Sequence, residues 1–215
     1  RTAATLNGAY AGVFVELEAV ERRQNMTAKA LNYAFDAFCT YDQDACGLRD
    51  VPPDELAATL TQWDDEDDLP YLYTVGTTWA GYIQAHSDDW LAVAELGQAQ
   101  SVLEQAVSIE PEYEKGTALL YLGVMNSILP PSLGGKPEVA QDYFERALAA
   151  ADGDNLIIQV YYASQYARLL FDRELHDRLL QQVLSSDPYV EGLTLQNIYA
   201  QQEAARLLAS ADDYF

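Results

Sequence analysis

Tyrosine is the residue whose chemistry this chain repeats most visibly, with fifteen copies in 215 residues. A phenol offers an apolar ring and a hydroxyl that donates and accepts hydrogen bonds. The tyrosines recur in register with segments that read as helices: Tyr71, Tyr73 and Tyr82, then Tyr121, then Tyr161, Tyr162 and Tyr166. Along a concave wall, such rings would hold a small organic molecule or a partner segment. Turned inward, they would be core with hydroxyls at the rim. Any single one reads better as core, while the set reads as partly facing a cavity. The candidate lining is Tyr71, Tyr73, Trp79, Tyr82, Tyr121, Asn126, Tyr162, Tyr166 and Asn197.

Other reactive side chains point away from catalysis. His86 and His176 are the two histidines, and neither has a ligand at helical spacing. No nucleophile elbow, zinc-protease helix, Walker loop or dinucleotide fingerprint occurs. Gly134-Gly135-Lys136 lacks both the leading glycine and the following hydroxyl of a phosphate loop and reads as a turn. Asp64-Asp65-Glu66-Asp67-Asp68 reads as a solvated turn whose last Asp caps the next helix. It lacks the glycine and alternating oxygens of a calcium loop. The expectation is a non-enzyme with no metal and no cofactor. Cys39 and Cys46, near a predicted helix end, leave two alternatives open: a local disulfide in an oxidising compartment, or two reduced, half-buried thiols.

The charge balance is strongly acidic, 34 carboxylates against 12 basic residues. That argues against nucleic acid and anionic lipid, which need clustered Lys and Arg, and favours a basic partner. No apolar run is long enough to span a membrane. Starting at Arg1 and not at Met, the sequence reads as a mature or trimmed piece, from which an upstream export signal or lipid anchor would have been removed.

Nearly everything from Thr2 to Leu208 is helical in pattern, so the expected fold class is all-α, with about ten helices. The first is placed at Ala3 to Arg23, with Leu6, Tyr10, Val13, Phe14 and Leu17 on one side. The second runs from Thr27 to Tyr41, and a third opens at Pro52-Pro53. Leu69 to Ala85, a short piece from Trp90, and Leu96 to Ile109 follow. Gly116 to Ala151 reads as helix, break, helix. The break is Pro130 to Gly135, where one glycine needs positive φ, and Pro137 opens the second helix.

Two of these helices carry the second-helix signature of a tetratricopeptide unit: Ala99-x3-Leu103-x2-Ala106 and Ala140-x3-Phe144-x2-Ala147. They lie 41 residues apart, and Gly81 pairs with Gly123 at a step of 42. A third copy spans Asn155 to Pro188, with Leu180 and Val183 in its second helix, and Leu193 to Leu208 caps the stack. The expected organisation is therefore one tetratricopeptide-like solenoid over 1–215: N-terminal helices 1–66, degenerate repeats 67–192, and a cap and tail 193–215.

From about Asp68 to Phe215 the chain resembles the T-component family of TRAP-transporter-associated proteins. The segments that carry the likeness are Asp68 to Gly76 with Trp79-Ala-Gly81, Leu122-Gly123, Leu133 to Pro137, Phe144-x2-Ala147-Leu148, Asn155-Leu156, Tyr162-Ala163 with Tyr166-Ala167-Arg168, Leu179 to Leu184, Asn197 with Ala200, and Leu207 to Phe215. The first 65 or so residues match only in helix pattern, and Gly97 stands where relatives carry Pro. The resemblance implies a periplasmic, often lipid-anchored protein. It would work beside the solute-binding component of a tripartite, ATP-independent uptake system. It would associate into trimers and hold or pass a small organic, apolar ligand through its helical core. The alternative is a general tetratricopeptide scaffold that takes a peptide or protein on its concave face.

Overall fold

A computed structural model describes residues 1–13, 15, 19–128 and 135–215. The described residues are helical, with no strand among them, as the sequence predicts. The chain divides into two compact units, Arg1–Glu110 and Pro111–Phe215.

The first unit contains α1 (Thr2–Val13), α2 (Val20–Tyr41), α3 (Pro53–Leu60), α4 (Leu69–Ala85), α5 (Trp90–Ala94) and α6 (Leu96–Ile109). α2 and α6 both pack on α4, and α1 packs on α2. One correction concerns the start. α1 ends at Val13, and α2 begins at Val20, seven residues before the expected Thr27. The stretch Glu21-Arg22-Arg23-Gln24 has good helix formers that extend α2 outward in solvent. A second correction follows from size. α1 buries Ala4 and Ala11 and leaves Leu6 and Tyr10 exposed, because small side chains let it approach α2 and α4 closely. Phe14 and Leu17 lie outside the described residues.

Aromatic rings fill this unit's core. Phe38 meets Trp63 at 4.9 Å between centroids, and Trp63 donates its indole N–H to Asp42 Oδ2 at 2.8 Å. Cys39 and Cys46 form a disulfide, which settles the open alternative and pins the end of α2 to the loop after it. The acidic run is a turn, with one difference from expectation. Asp68 stands at the start of α4 but does not cap it. Its buried carboxylate accepts Asp65 N–H at 3.2 Å and the Tyr41 hydroxyl at 3.0 Å, so it closes its own turn and ties that turn to α2. Asp89 does act as a cap, accepting Leu91 N–H at 2.9 Å ahead of α5.

The second unit contains α7 (Thr117–Asn126), α8 (Pro137–Ala151), α9 (Ile157–Tyr161) continued by a π-helical turn (Tyr162–Ala167), α10 (Arg173–Ser185), α11 (Thr194–Ala209) and the short α12 (Ala211–Tyr214). Of the expected Pro130–Gly135 junction, all but Gly135 lies outside the described residues. α7 packs on α8, and α10 on both the π-helical turn and α11.

The 41-residue register is visible in burial. Ala99, Leu103 and Ala106 on α6, and Ala140, Phe144 and Ala147 on α8, are all at most 1% exposed. Each large member faces a glycine on the preceding long helix. A Cβ on Gly76 would come within 2.6 Å of Leu103, and one on Gly123 within 3.0 Å of the Phe144 ring. The glycine matching Gly123 is thus Gly76. Gly81, paired with it on sequence, has open space around its Cβ position, because the loops before α6 and α8 differ in length and the small-for-large contact, not the loop, fixes the register.

Candidate functional site

The second unit contains a cleft of about 220 Å³ between α9 with its π-helical turn and α11. Two buried asparagines hold these elements together. Asn197 of α11 accepts Leu156 N–H at 3.1 Å and donates to Asp154 C=O at 2.8 Å. Asn155 donates to Lys115 C=O at 3.2 Å and accepts from Gln196 at 2.6 Å. Loop carbonyls and amides that would otherwise be buried unpaired are thereby satisfied, and the helix starts are fixed relative to one another. Lys115 adds an ion pair to Asp154 at 2.9 Å.

The π-helical turn sets which rings enter the cleft. Within it Arg168 N–H reaches Ala163 C=O, five residues back, at 3.2 Å. This wide turn is a geometry that recurs at functional sites. Tyr161, just before it, lines the cleft with Tyr199 from α11. Tyr162 and Tyr166 face the opposite way. Tyr162 stacks on Phe144 with centroids 4.8 Å apart, and Tyr166 donates its hydroxyl to Gln141 at 3.0 Å.

Ionisation in the cleft is governed by burial. Desolvation pushes the Tyr161 phenol far above its usual value, and nearby Tyr121, Tyr199 and the Glu203 carboxylate add to this. Burial likewise raises Tyr121 and Tyr199. All three stay protonated near neutral pH, and among the described residues no hydrogen-bond partner meets their hydroxyls. Glu203 is occupied by Arg206, which donates Nε–H to it at 2.9 Å. Arg168 also lines the cleft but faces neutral partners: its Nη2 reaches Ser210 Oγ at 3.2 Å and Leu207 C=O at 3.4 Å. The cleft therefore combines neutral donors, the paired Glu203 and Arg206, and the second guanidinium of Arg168 around the apolar side chains of Ile157, Val160 and Leu207. It can bind by stacking and hydrogen bonding.

The remaining sequence-predicted residues are dispersed. In the first unit Trp79 is fully buried, and its indole N–H donates to Glu95 at 2.6 Å. Glu95 is held by Arg49 through two bonds of 2.8 and 2.9 Å. Tyr71 stacks on Tyr41 at 4.2 Å. Tyr82 lies against His86 at 4.1 Å and under the Arg49 guanidinium. Tyr73 is half-buried on α4. In the second unit Asn126 donates to Leu122 C=O in its own helix at 2.9 Å, and Asn197 is the clamp described above. Tyr121 is the predicted residue that meets the phenol set. Tyr161 was named among the recurring tyrosines but left out of the candidate lining, and Tyr199 was missed. Their steps, Tyr121 to Tyr161 to Tyr199, follow the repeat to within three residues and were the available signal. Neither histidine lines the cleft. No cluster of three or more metal-ligating side chains occurs among the described residues.

The family model for the TRAP transporter T-component matches residues 1–215. The chain belongs to the TRAP transporter T-component family. The match extends the likeness from the repeats through the N-terminal helices, where sequence pattern alone was loose. An uncharacterized protein of Treponema pallidum (strain Nichols) is 32% identical over 155 residues, 69% of this chain and 46% of that protein. The T-component chain thus spans about half the length of that curated relative. Membership in this family implies an accessory role beside a TRAP transporter. Among the described residues no helix is long and apolar enough to cross a membrane.

Proposed function

We propose that this T-component chain is a periplasmic accessory protein that docks to the solute-binding component of a TRAP system and holds a small organic ligand at the Tyr161–Tyr199 cleft. The observation that carries this reading is the pair of half-buried, protonated phenols of Tyr161 and Tyr199, whose hydroxyls meet no partner among the described residues, beside the apolar side chains of Ile157, Val160 and Leu207. A volume near 220 Å³ suits a small ligand and is below the ~300 Å³ at which drug-sized pockets begin. The Cys39–Cys46 disulfide supports an oxidising compartment such as the periplasm. In this reading the helix pairs form one tetratricopeptide-like domain over 1–215. Its copies associate, as trimers, and an anchor upstream of Arg1 tethers it.

Native mass spectrometry of the purified chain tests the ligand. A small organic molecule should be retained by the wild type and lost on Tyr161→Ala. A wild-type mass equal to the bare chain, with no change on adding the solute-binding component's cargo, refutes ligand holding. Co-elution with the purified solute-binding component tests docking separately.

A further inference from the structure

Phe171 has a backbone that its residue type opposes. It sits at φ 56°, in the left-handed region, four residues after the end of the π-helical turn. Its N–H reaches Arg168 C=O at 3.1 Å, and the next amide, of Asp172, reaches Ala167 C=O at 2.8 Å. This is the terminating position of a helix, where glycine is the usual occupant because a side chain is strained there. Asp152 holds the same conformation after α8, but Asp tolerates it and a bulky aromatic does not. Burial within this chain does not offset the strain, since Phe171 is 71% exposed.

The ring belongs to a platform. It stacks on Tyr214 with centroids 5.9 Å apart, and Leu170 and Tyr214 are themselves exposed. Tyr214 has a second neighbour on its ring, the Arg168 guanidinium at 4.7 Å, and its hydroxyl donates to Arg168 C=O at 3.3 Å. The platform is thereby joined through one side chain to the phenol cleft that Arg168 lines. Its surroundings are acidic. Asp172, Glu174 and Asp213 form no ion pair among the described residues, while Arg173, the nearest base in sequence, is taken by Asp212 and Asp177.

We infer that Leu170, Phe171 and Tyr214 form a docking platform for a protein partner that presents an apolar recess rimmed by Lys or Arg. Resting on the reading above, that partner is the solute-binding component. Backbone strain kept at a solvent-facing aromatic is the mark of a side chain selected for what it touches outside the chain. Exposed aromatics with a charged rim are the usual anchors of such contacts. Contact with Tyr214 would bear directly on Arg168, so docking and cleft occupancy are coupled.

The test is calorimetric titration of the whole chain with the purified solute-binding component. Phe171→Gly should leave the melting temperature unchanged or raised, because glycine suits that backbone, and should weaken binding by about 30-fold. Tyr214→Ala should weaken it similarly, Tyr189→Ala, an exposed aromatic elsewhere, should not, and higher salt should weaken the wild type. If the wild type binds and Phe171→Gly binds equally well, the platform assignment is wrong and the docking reading stands. If the wild type does not bind at all, both fall. A shift of Phe171→Gly from oligomer to monomer in sedimentation would assign the platform to self-association and overturn the proposal.

Discussion

Replacing Gly123 with Ala isolates the contact that sets the repeat. The added Cβ would lie 3.0–3.1 Å from three atoms of the Phe144 ring, inside ordinary van der Waals distance. The ring cannot retreat, because its other side is stacked on Tyr162 at 4.8 Å and it is fully buried. Overpacking of this kind costs about 1–3 kcal/mol. The gain in helix propensity from Gly to Ala is about 1 kcal/mol. The net expectation is destabilisation by up to about 2 kcal/mol, a fall of up to about 4–8 °C in melting temperature at this chain length. Phe144→Leu removes the flat ring and should make the same Gly123→Ala change neutral or stabilising. A double-mutant cycle in urea should therefore show about 1–3 kcal/mol of coupling. A cycle without coupling, or Gly123→Ala more stable than wild type with Phe144 intact, would refute the steric account, and with it the register drawn from it.

Asn197→Ala should cost about 2–4 kcal/mol in urea unfolding, because Leu156 N–H and Asp154 C=O are left buried without partners. Reducing Cys39–Cys46 removes a crosslink over a short loop and should lower stability by about 2 kcal/mol, read as the difference between melts with and without reductant. Tyr41, whose hydroxyl donates to Asp68, and Tyr162, desolvated by burial, both have phenols pushed up to about 12. A raised folded pKa favours the protonated fold, so their contribution is complete below pH 10 and is lost as pH rises toward 12. Absorbance titration should show these two ionising late, and Tyr41→Phe should remove part of the alkaline loss of stability.

Much of the fold was legible because helix period and small-for-large packing are written in residue size. Ala99-x3-Leu103 and Ala140-x3-Phe144 needed nothing beyond their spacing. Asparagine clamps were half legible: Asn155 and Asn197 stood out, but their role as anchors of buried backbone depends on loops whose course no pattern encodes. The cleft was less readable. Choosing Tyr161 over Tyr162 requires the helix phase to be known to one residue, and the π-helical turn changes that phase in the same segment. In α1 the apolar side chains suggested the wrong inner face, because the close approach of helices selected alanine and glycine over leucine.

That widened turn at Tyr162–Ala167 also behaves as a phase shifter along the chain. Each residue of an α-helix advances the direction of its side chain by about 100°. A wide turn takes up one residue more than α-helical closure needs. Deleting a single residue between Tyr162 and Ala167 would allow an ordinary helix to close over the same rotation. Tyr161 before the turn and Arg168 after it would both keep their directions, toward the cleft and toward Tyr214. A deletion of one residue, usually tolerated only in loops, would here be absorbed within a helix. It would remove the bulge and leave the side chains on either side of it in place.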